Sequence, residues 1–284
     1  FTNSKLTNTT LHSEAYIPFT AAGEHVLTVG GEVTRSSLND PYTISYTPGF
    51  GAVEGRDNSI TKSSQTEWAV FAEDNWEIRN GTRLIPALRF DHNSKSGGNL
   101  SGGLNFSQQL GSNWLVKGGI ARAYKAPNLY QSNPNFLLAT RGNGCPIYTT
   151  SGSCYFIGNA DLKPETSWNK ELGFEFNKNG WQASAAYFHN AYRNKITGGE
   201  EIIGYTDTGN MVMQWINTPK ATIAGFEGNL VVPLHDTLKW RNNFTYMQKS
   251  EDYKGNPLSM VPKFTLNSTL AWTPTEKWDA NLTF

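Results

Sequence analysis

No apolar run in this chain of 284 residues approaches the ~18 residues that a membrane-crossing helix needs. Helical periodicity is nearly absent as well, so helical membrane spans are excluded. Charge is scarce: Asp, Glu, Lys and Arg make up 17% of the chain, where soluble domains usually carry about a quarter. The two signs balance at 24 residues each, which leaves no global field to draw nucleic acid or anionic lipid. Enzyme signatures are missing too. There is no G-x-S-x-G elbow, no phosphate-binding glycine loop, no G-x-G-x-x-G and no H-E-x-x-H. The five histidines, His12, His25, His92, His189 and His235, stand singly, without the i,i+4 or cysteine partner that a protein metal site uses. The expectation is therefore a protein that is not an enzyme and holds no cofactor or metal of its own. The chain opens without a charged n-region and apolar h-region. For an exported protein this implies a processed or cut sequence.

Aromatic residues reach 13%, and there are 27 glycines. The dominant period is two. Over 165–176, Trp168, Leu172, Phe174 and Phe176 alternate with Glu165, Ser167, Asn169, Glu171 and Glu175. Over 238–246, Leu238, Trp240, Phe244 and Tyr246 oppose Lys239, Arg241, Asn243 and Thr245. Residues 264–272 repeat the pattern, and shorter versions run at 11–17, 26–34, 66–77, 114–124 and 278–284. These are half-apolar strands of about ten residues, about twelve in all, long enough to cross a bilayer at a steep tilt. Mean hydropathy is low, −0.49, as it must be when lipid-facing and lumen-facing residues alternate.

Connections alternate between short and long. Tight turns are expected at 18–24, 79–81, 111–113, 178–180, 233–236 and 273–277, two of them on the Asn-Gly pairs that favour hairpins. Longer links fall at 38–63, 126–164, 198–210 and 250–258, with one short exception near 95–98. That is the layout of an antiparallel transmembrane β-barrel. Trp76, Trp114, Trp181, Trp240, Trp272 and Trp278 lie within a few residues of the short turns and read as one interfacial aromatic girdle. The alternative, tryptophans filling the core of a soluble β-protein, conflicts with the many charged residues on the polar strand faces. N-x-S/T triplets such as Asn8-Thr9-Thr10 follow simply from Asn- and Thr-rich strands.

The segment 126–164 carries the candidate chemistry. Between Ala126 and Ala160 there is no Asp or Glu, and Arg141 is the one cation. Tyr130, Phe136, Tyr148, Tyr155 and Phe156 are interleaved with Gln131, Asn133, Asn135 and Asn143. Such a surface suits an anionic aromatic ligand through stacking, cation–π contacts and amide hydrogen bonds; a glycine-rich loop without a ligand is the bland alternative. Cys145 and Cys154 stand nine apart in a stretch rich in Gly, Ser and Thr. A local disulfide in an oxidising compartment fits them, and two free thiols are the other reading.

The run Gly119-Ile-Ala-Arg-Ala-Tyr-Lys-Ala-Pro-Asn-Leu-Tyr-Gln-Ser-Asn-Pro-Asn135 resembles a strand and loop start of TonB-dependent siderophore receptors. Asn159-Ala-Asp-Leu-Lys-Pro-Glu-Thr-Ser-Trp-Asn-Lys-Glu-Leu-Gly173 is similar to the most widespread barrel motif of that superfamily. Tyr192-Arg-Asn-Lys-Ile196 and Asn217-Thr-Pro-Lys-Ala221 with Gly225-Phe-Glu227 resemble its next two strands. The first motif, the paired cysteines and Arg141-Gly-Asn-Gly-Cys145 together look like the ferric enterobactin receptors. The resemblance implies a barrel of about twenty-two strands enclosing an N-terminal plug. Residues 1–284 would be a partial barrel domain with the plug absent, ending about five hairpins early by family reckoning, and expected as an open curved sheet.

It implies a bacterial outer-membrane receptor and transporter that imports a ferric catecholate siderophore of the enterobactin type with energy supplied by TonB. Iron would travel only as the siderophore's own complex. Implied partners are that siderophore, TonB through the plug segment, outer-membrane lipid, and colicins or phage, with no nucleic acid. Carried over by motif, the ligand contacts are Arg141, Asn143, Tyr130, Phe136 and Tyr155. Arg122, Lys125, Glu165 and Glu171 are expected on the lumen wall. A passive porin or surface adhesin is the rival function; an enzyme ranks third and would need a Ser–His pair on the barrel wall.

Overall fold

The computed structural model describes residues 3–41, 60–140, 145, 154–205, 209–258 and 262–284. Twelve strands form one antiparallel ladder. In ladder order they are β1 (Lys5–Thr20), β2 (Glu24–Asn39), β3 (Lys62–Arg79), β4 (Thr82–Asn93), β5 (Gly97–Leu110), β6 (Trp114–Lys125), β9 (Glu165–Lys178), β10 (Trp181–Gly198), β12 (Met211–His235), β13 (Leu238–Asp252), β14 (Phe264–Thr275) and β15 (Trp278–Thr283). Three short strands, β7 (Leu137–Thr140), β8 (Cys154–Ile157) and β11 (Gly204–Tyr205), lie off this path. No pairing joins β1 to β15 among the described residues, so the sheet is open. The strands are longer than the period-two runs suggested. β1 continues through Pro18 and β12 through Pro233, leaving turns of only a few residues.

Residues paired directly across two antiparallel strands share a face, and alternate residues take opposite faces. Register therefore sorts the side chains. Trp114 pairs Phe176, Val116 pairs Phe174 and Gly118 pairs Leu172, while Lys117 pairs Gly173 and Lys125 pairs Glu165. Leu172, Phe174 and Trp168 are about half exposed. In water so continuous an apolar face would be a liability; against hydrocarbon it is what a spanning strand requires. The six tryptophans near the short turns all fall on this outer face. Trp76 is tucked in, its ring 5.2 Å from that of His25 and its Nε1–H donating to Ala22 O at 3.1 Å.

The inner face is polar and cross-linked. Arg89 donates through Nε to Asp91 at 2.7 Å, donates to Glu32, and lies 5.7 Å from the Phe71 ring centre. Lys117 meets Glu175 at 2.5 Å. Each pair is partly exposed and stabilises little by itself; as a row these groups make a charged wall. Lys125, Glu165 and Glu171 belong to it, as expected. Arg122 does not. It pairs Trp168 and Gly102 on the outer face, donating to Asn99 Oδ1 at 2.7 Å and to Leu100 O. The expected lumen position fails because Arg122 and Lys125 are three residues apart on one strand, and an odd spacing puts them on opposite faces.

The tight turns explain the ladder's local register. Asn179 (φ 51°) and Gly180 (φ 82°) both take positive φ between β9 and β10, as a two-residue hairpin with a type I′ turn demands.

Candidate functional site: a platform beyond the long-loop ends

β6 ends before Pro127, and the chain turns on a reciprocal pair. Gln131 N–H donates to Asn128 Oδ1 at 2.8 Å, and Asn128 N–H donates to Gln131 Oε1 at 3.1 Å. Ser132 closes the turn, donating to Asn128 O through both N–H (3.0 Å) and Oγ (2.9 Å). Leu129 and Phe136 are thereby laid on Leu38, an inner-face residue at the far end of β2, and all three are buried. The loop thus spans from β6 back to β2 across the mouth of the sheet. Tyr130 packs on the same cluster, its ring 4.3 Å from that of Phe136 at 54°.

A small second sheet follows. β7 pairs antiparallel with β8, and β8 pairs in parallel with the first residues of β12, from Met211↔Cys154 to Gln214↔Ile157. β11 joins the same stretch of β12. Cys145 and Cys154 are bridged, and Thr140 Oγ1 lies 3.0 and 3.1 Å from their sulfurs. Cys154 is buried with Phe156 and Met213, and Trp215 packs alongside. Closing a nine-residue loop constrains the unfolded chain by roughly 2–3 kcal/mol, on a chain-entropy view.

Backbone-seeking amides tie platform to wall. Asn159 N–H donates to Gln131 O at 2.7 Å and its Nδ2 to Trp215 O at 3.0 Å. Asn217 Nδ2 donates to Lys163 O and Asn194 O, and its Oδ1 accepts from Lys163 N–H at 2.8 Å. Glu165 Oε1 accepts Ile196 N–H at 2.7 Å. Two of the motif segments, 159–173 and 217–221, are thus the fastenings of the platform.

The candidate contact residues divide into groups. Tyr130 is half-buried and Phe136 buried in the Leu38 cluster, whereas Tyr155 is half-buried against Leu137, Ile157 and Val212. Arg141 and Asn143 lie outside the described residues. Sequence reasoning missed Lys95, on the short β4–β5 connection. Its Nζ donates to Ser63 Oγ at 3.0 Å, and burial holds its ammonium pKa below the usual value. It is a cation at the long-loop end of the wall. An unusually short external connection, noticed near 95–98, was the only signal for it.

The β13–β14 connection is organised by Asp252. Its carboxylate accepts Lys254 N–H and Asn256 N–H, each at 2.8 Å, and Asn256 Nδ2 at 3.2 Å. Burial by itself would raise the Asp252 pKa, but the Asn256 and Lys254 donors outweigh it and hold the carboxyl below its usual value. A depressed carboxyl pKa stabilises the folded loop above the ordinary carboxylate range, and that contribution is lost as pH falls through the folded value. Amide exchange at Lys254 and Asn256, corrected for intrinsic rates, should lose protection as pH drops from 7 to 3. In Asp252→Ala it should be unprotected at both. Protection independent of pH in the wild type would remove the carboxylate from this role.

All of the chain, residues 1–284, matches the family described as TonB dependent receptor-like, beta-barrel. It is 51% identical to the ferric enterobactin receptor PirA of Pseudomonas aeruginosa and 44% identical to the ferrienterobactin receptor of Escherichia coli. Both alignments cover 100% of this chain and 39% of the relative, so the chain spans well under half of their length. A crystal structure of the siderophore receptor PirA from Pseudomonas aeruginosa superposes with a TM-score of 0.86 at 49% identity, covering 100% of this chain and 48% of that one. A mutant of the ferric enterobactin receptor PfeA from Pseudomonas aeruginosa, crystallised in complex with enterobactin, superposes at 0.84 with 43% identity, covering 99% and 41%. A wall with a mostly apolar outer face and a charged inner face, a bridged loop platform and this match over the whole chain lead to one conclusion: the chain belongs to the TonB-dependent receptor β-barrel family, a family of receptors and not of enzymes.

Proposed function

We propose that the receptor containing this barrel segment captures a ferric catecholate siderophore of the enterobactin type at its external loops. It then imports the complex across the outer membrane with energy delivered through TonB. The observation that carries this reading is the 43% identity, over 99% of the chain, to a receptor crystallised with enterobactin. The acid-free segment 126–160 supports it, because a tris-catecholate iron complex is an anion with aromatic faces. Iron is cargo in this reading: the siderophore supplies its ligands, and the protein binds catechol edges and faces.

Within that function Arg141, Asn143, Tyr130, Phe136 and Tyr155 are the proposed contacts. A guanidinium can donate to catecholate oxygens while stacking on the ring, which an ammonium does only in part. Such charge-assisted contacts contribute about 1.5–3 kcal/mol. Arg141→Ala in the full-length receptor should therefore weaken ferric-enterobactin binding roughly ten- to a hundred-fold while assembly persists. Arg79→Ala, at the opposite end of the wall, should change neither. Equal affinity of wild type and Arg141→Ala would strike Arg141 from the site. Siderophore uptake that continues without TonB would favour a passive porin instead.

A further inference from the structure

Three rings stand in a row on the outer face at the tight-turn end of β1, β2 and β3. Phe19 and Trp76 take the two sides of His25, with ring centres 4.5 and 5.2 Å away and ring planes 8° and 15° from parallel. Strand pairing places them there: Phe19 pairs His25, and His25 pairs Trp76. The turn between β1 and β2 folds back over this row, with Ala22 at φ 52° and Gly23 at φ 134°. Two ring nitrogens fasten it. Trp76 Nε1–H donates to Ala22 O at 3.1 Å, and His25 Nε2 lies 2.8 Å from Ala21 O. On its other side His25 Nδ1 lies 2.7 Å from Asp74 Oδ2. The second Asp74 oxygen, Oδ1, is buried and accepts no hydrogen bond among the described residues. Among those residues His25 is also the only group that can bring a positive charge within ion-pair range of this carboxylate.

A carbonyl and an ionised carboxylate can only accept, so both nitrogens of His25 must donate, and only the imidazolium has two N–H groups. Aromatic faces on either side favour that cation as well. We propose that His25 is a protonation-operated clasp, which holds the β1–β2 turn down on the wall and lets it lift when the ring becomes neutral. A neutral ring keeps one N–H. Whichever contact it retains, the other becomes a lone pair facing an oxygen, and Asp74 is left without a counter-charge. The charged groups that face the ring are Asp74 on β3 and Glu24 on β2; β1 brings Phe19 and the hydroxyl of Thr20, which donates to Glu24 at 3.2 Å. His25 stands one residue inside β2, at the girdle where the strand leaves hydrocarbon. There its hydrogen bond to Asp74, aided by the Ala21 carbonyl, outweighs burial, so the proton leaves above the ordinary imidazole range. The stability that the clasp contributes is complete below the ordinary imidazole pKa and is lost as pH rises through the raised value in the fold. Short turns of outer-membrane barrels face the periplasm, so the clasp reads periplasmic pH.

The test is hydrogen exchange of the 18–26 segment in the full-length receptor, read by mass spectrometry from about pH 6 to about pH 9 and corrected for intrinsic rates. Protection of the turn should fall about tenfold or more across that range, the worth of one charge-assisted hydrogen bond. His25→Gln should be poorly protected at every pH. Asp74→Asn should open at a lower pH than the wild type, a displacement that a merely space-filling role for the ring would not produce. Both variants should keep heat-modifiable migration and wild-type ferric-enterobactin affinity, because the clasp lies at the end of the wall opposite the long loops. Wild-type protection that stays constant with pH would overturn the proposal, as would a pH response that survives in His25→Gln.

Discussion

Gly158→Ala should detach the loop platform and lower siderophore binding by the receptor without unfolding its barrel. A β-carbon at residue 158 would stand 2.0 Å from Asn133 O and 2.7 Å from Tyr130 O. Both are backbone atoms of the Asn128–Phe136 turn, which cannot swing aside as a flexible side chain would. The Gly158 N–H also donates to Phe136 O at 3.2 Å, so moving the turn away breaks that bond too. Overpacking of this kind typically costs 1–3 kcal/mol, and more where backbone must shift. The ladder strands lie outside the clash, so heat-modifiable migration of the barrel should survive. Protease cleavage within 126–164 should appear in the variant and be absent from the wild type. An unchanged cleavage pattern with unchanged siderophore affinity would mean that the turn yields freely at this point.

Phe136→Ala should have an effect of similar size, and a companion variant separates its two candidate roles. Phe136 is only 7% exposed and packs with Leu38, Leu129 and Tyr130. Removing a buried Phe side chain costs about 3–5 kcal/mol, enough to free the loop from the mouth of the wall. Phe136→Leu refills most of that volume and keeps the apolar contact, but it has no aromatic face. If Phe136 acts by pinning the loop, Leu should restore most of the siderophore affinity that Ala loses. If it stacks on a catechol, Leu should bind as weakly as Ala.

Much of the wall was legible in the sequence because its physics is local. Period two in 165–176 and 238–246 names both the strands and their lipid faces, and the Asn179-Gly180 pair marks a hairpin with both residues at positive φ. Arg122 was legible as well: counting two by two from Trp114 places it with Ile120 and Tyr124 on the outer face, opposite to the expected lumen position. The platform was not legible. Leu137–Thr140 and Cys154–Ile157 are four-residue strands, too short for a period of two to stand out. Their pairing partner is remote, since Cys154 lies beside Met211 only because the intervening hairpin returns the chain there. Composition singled out segment 126–160 as a binding surface, but which aromatics face outward depends on contacts as distant as Leu38, and no local pattern encodes those.

β12 belongs to both sheets, and this imposes an order of assembly. At ~3.3 Å per residue its 25 residues reach roughly 80 Å, whereas about ten suffice to cross the bilayer. The lower part zips to β10 and β13 through near neighbours in sequence. The upper part meets β8 only after the β9–β10 hairpin has been laid down between them, and contacts of high sequence separation form late. The Cys145–Cys154 ring needs no such wait, because nine residues can close while the rest of the chain is still unfolded. The loop platform can thus be closed on itself early and seated on β12 only once the wall beneath it stands.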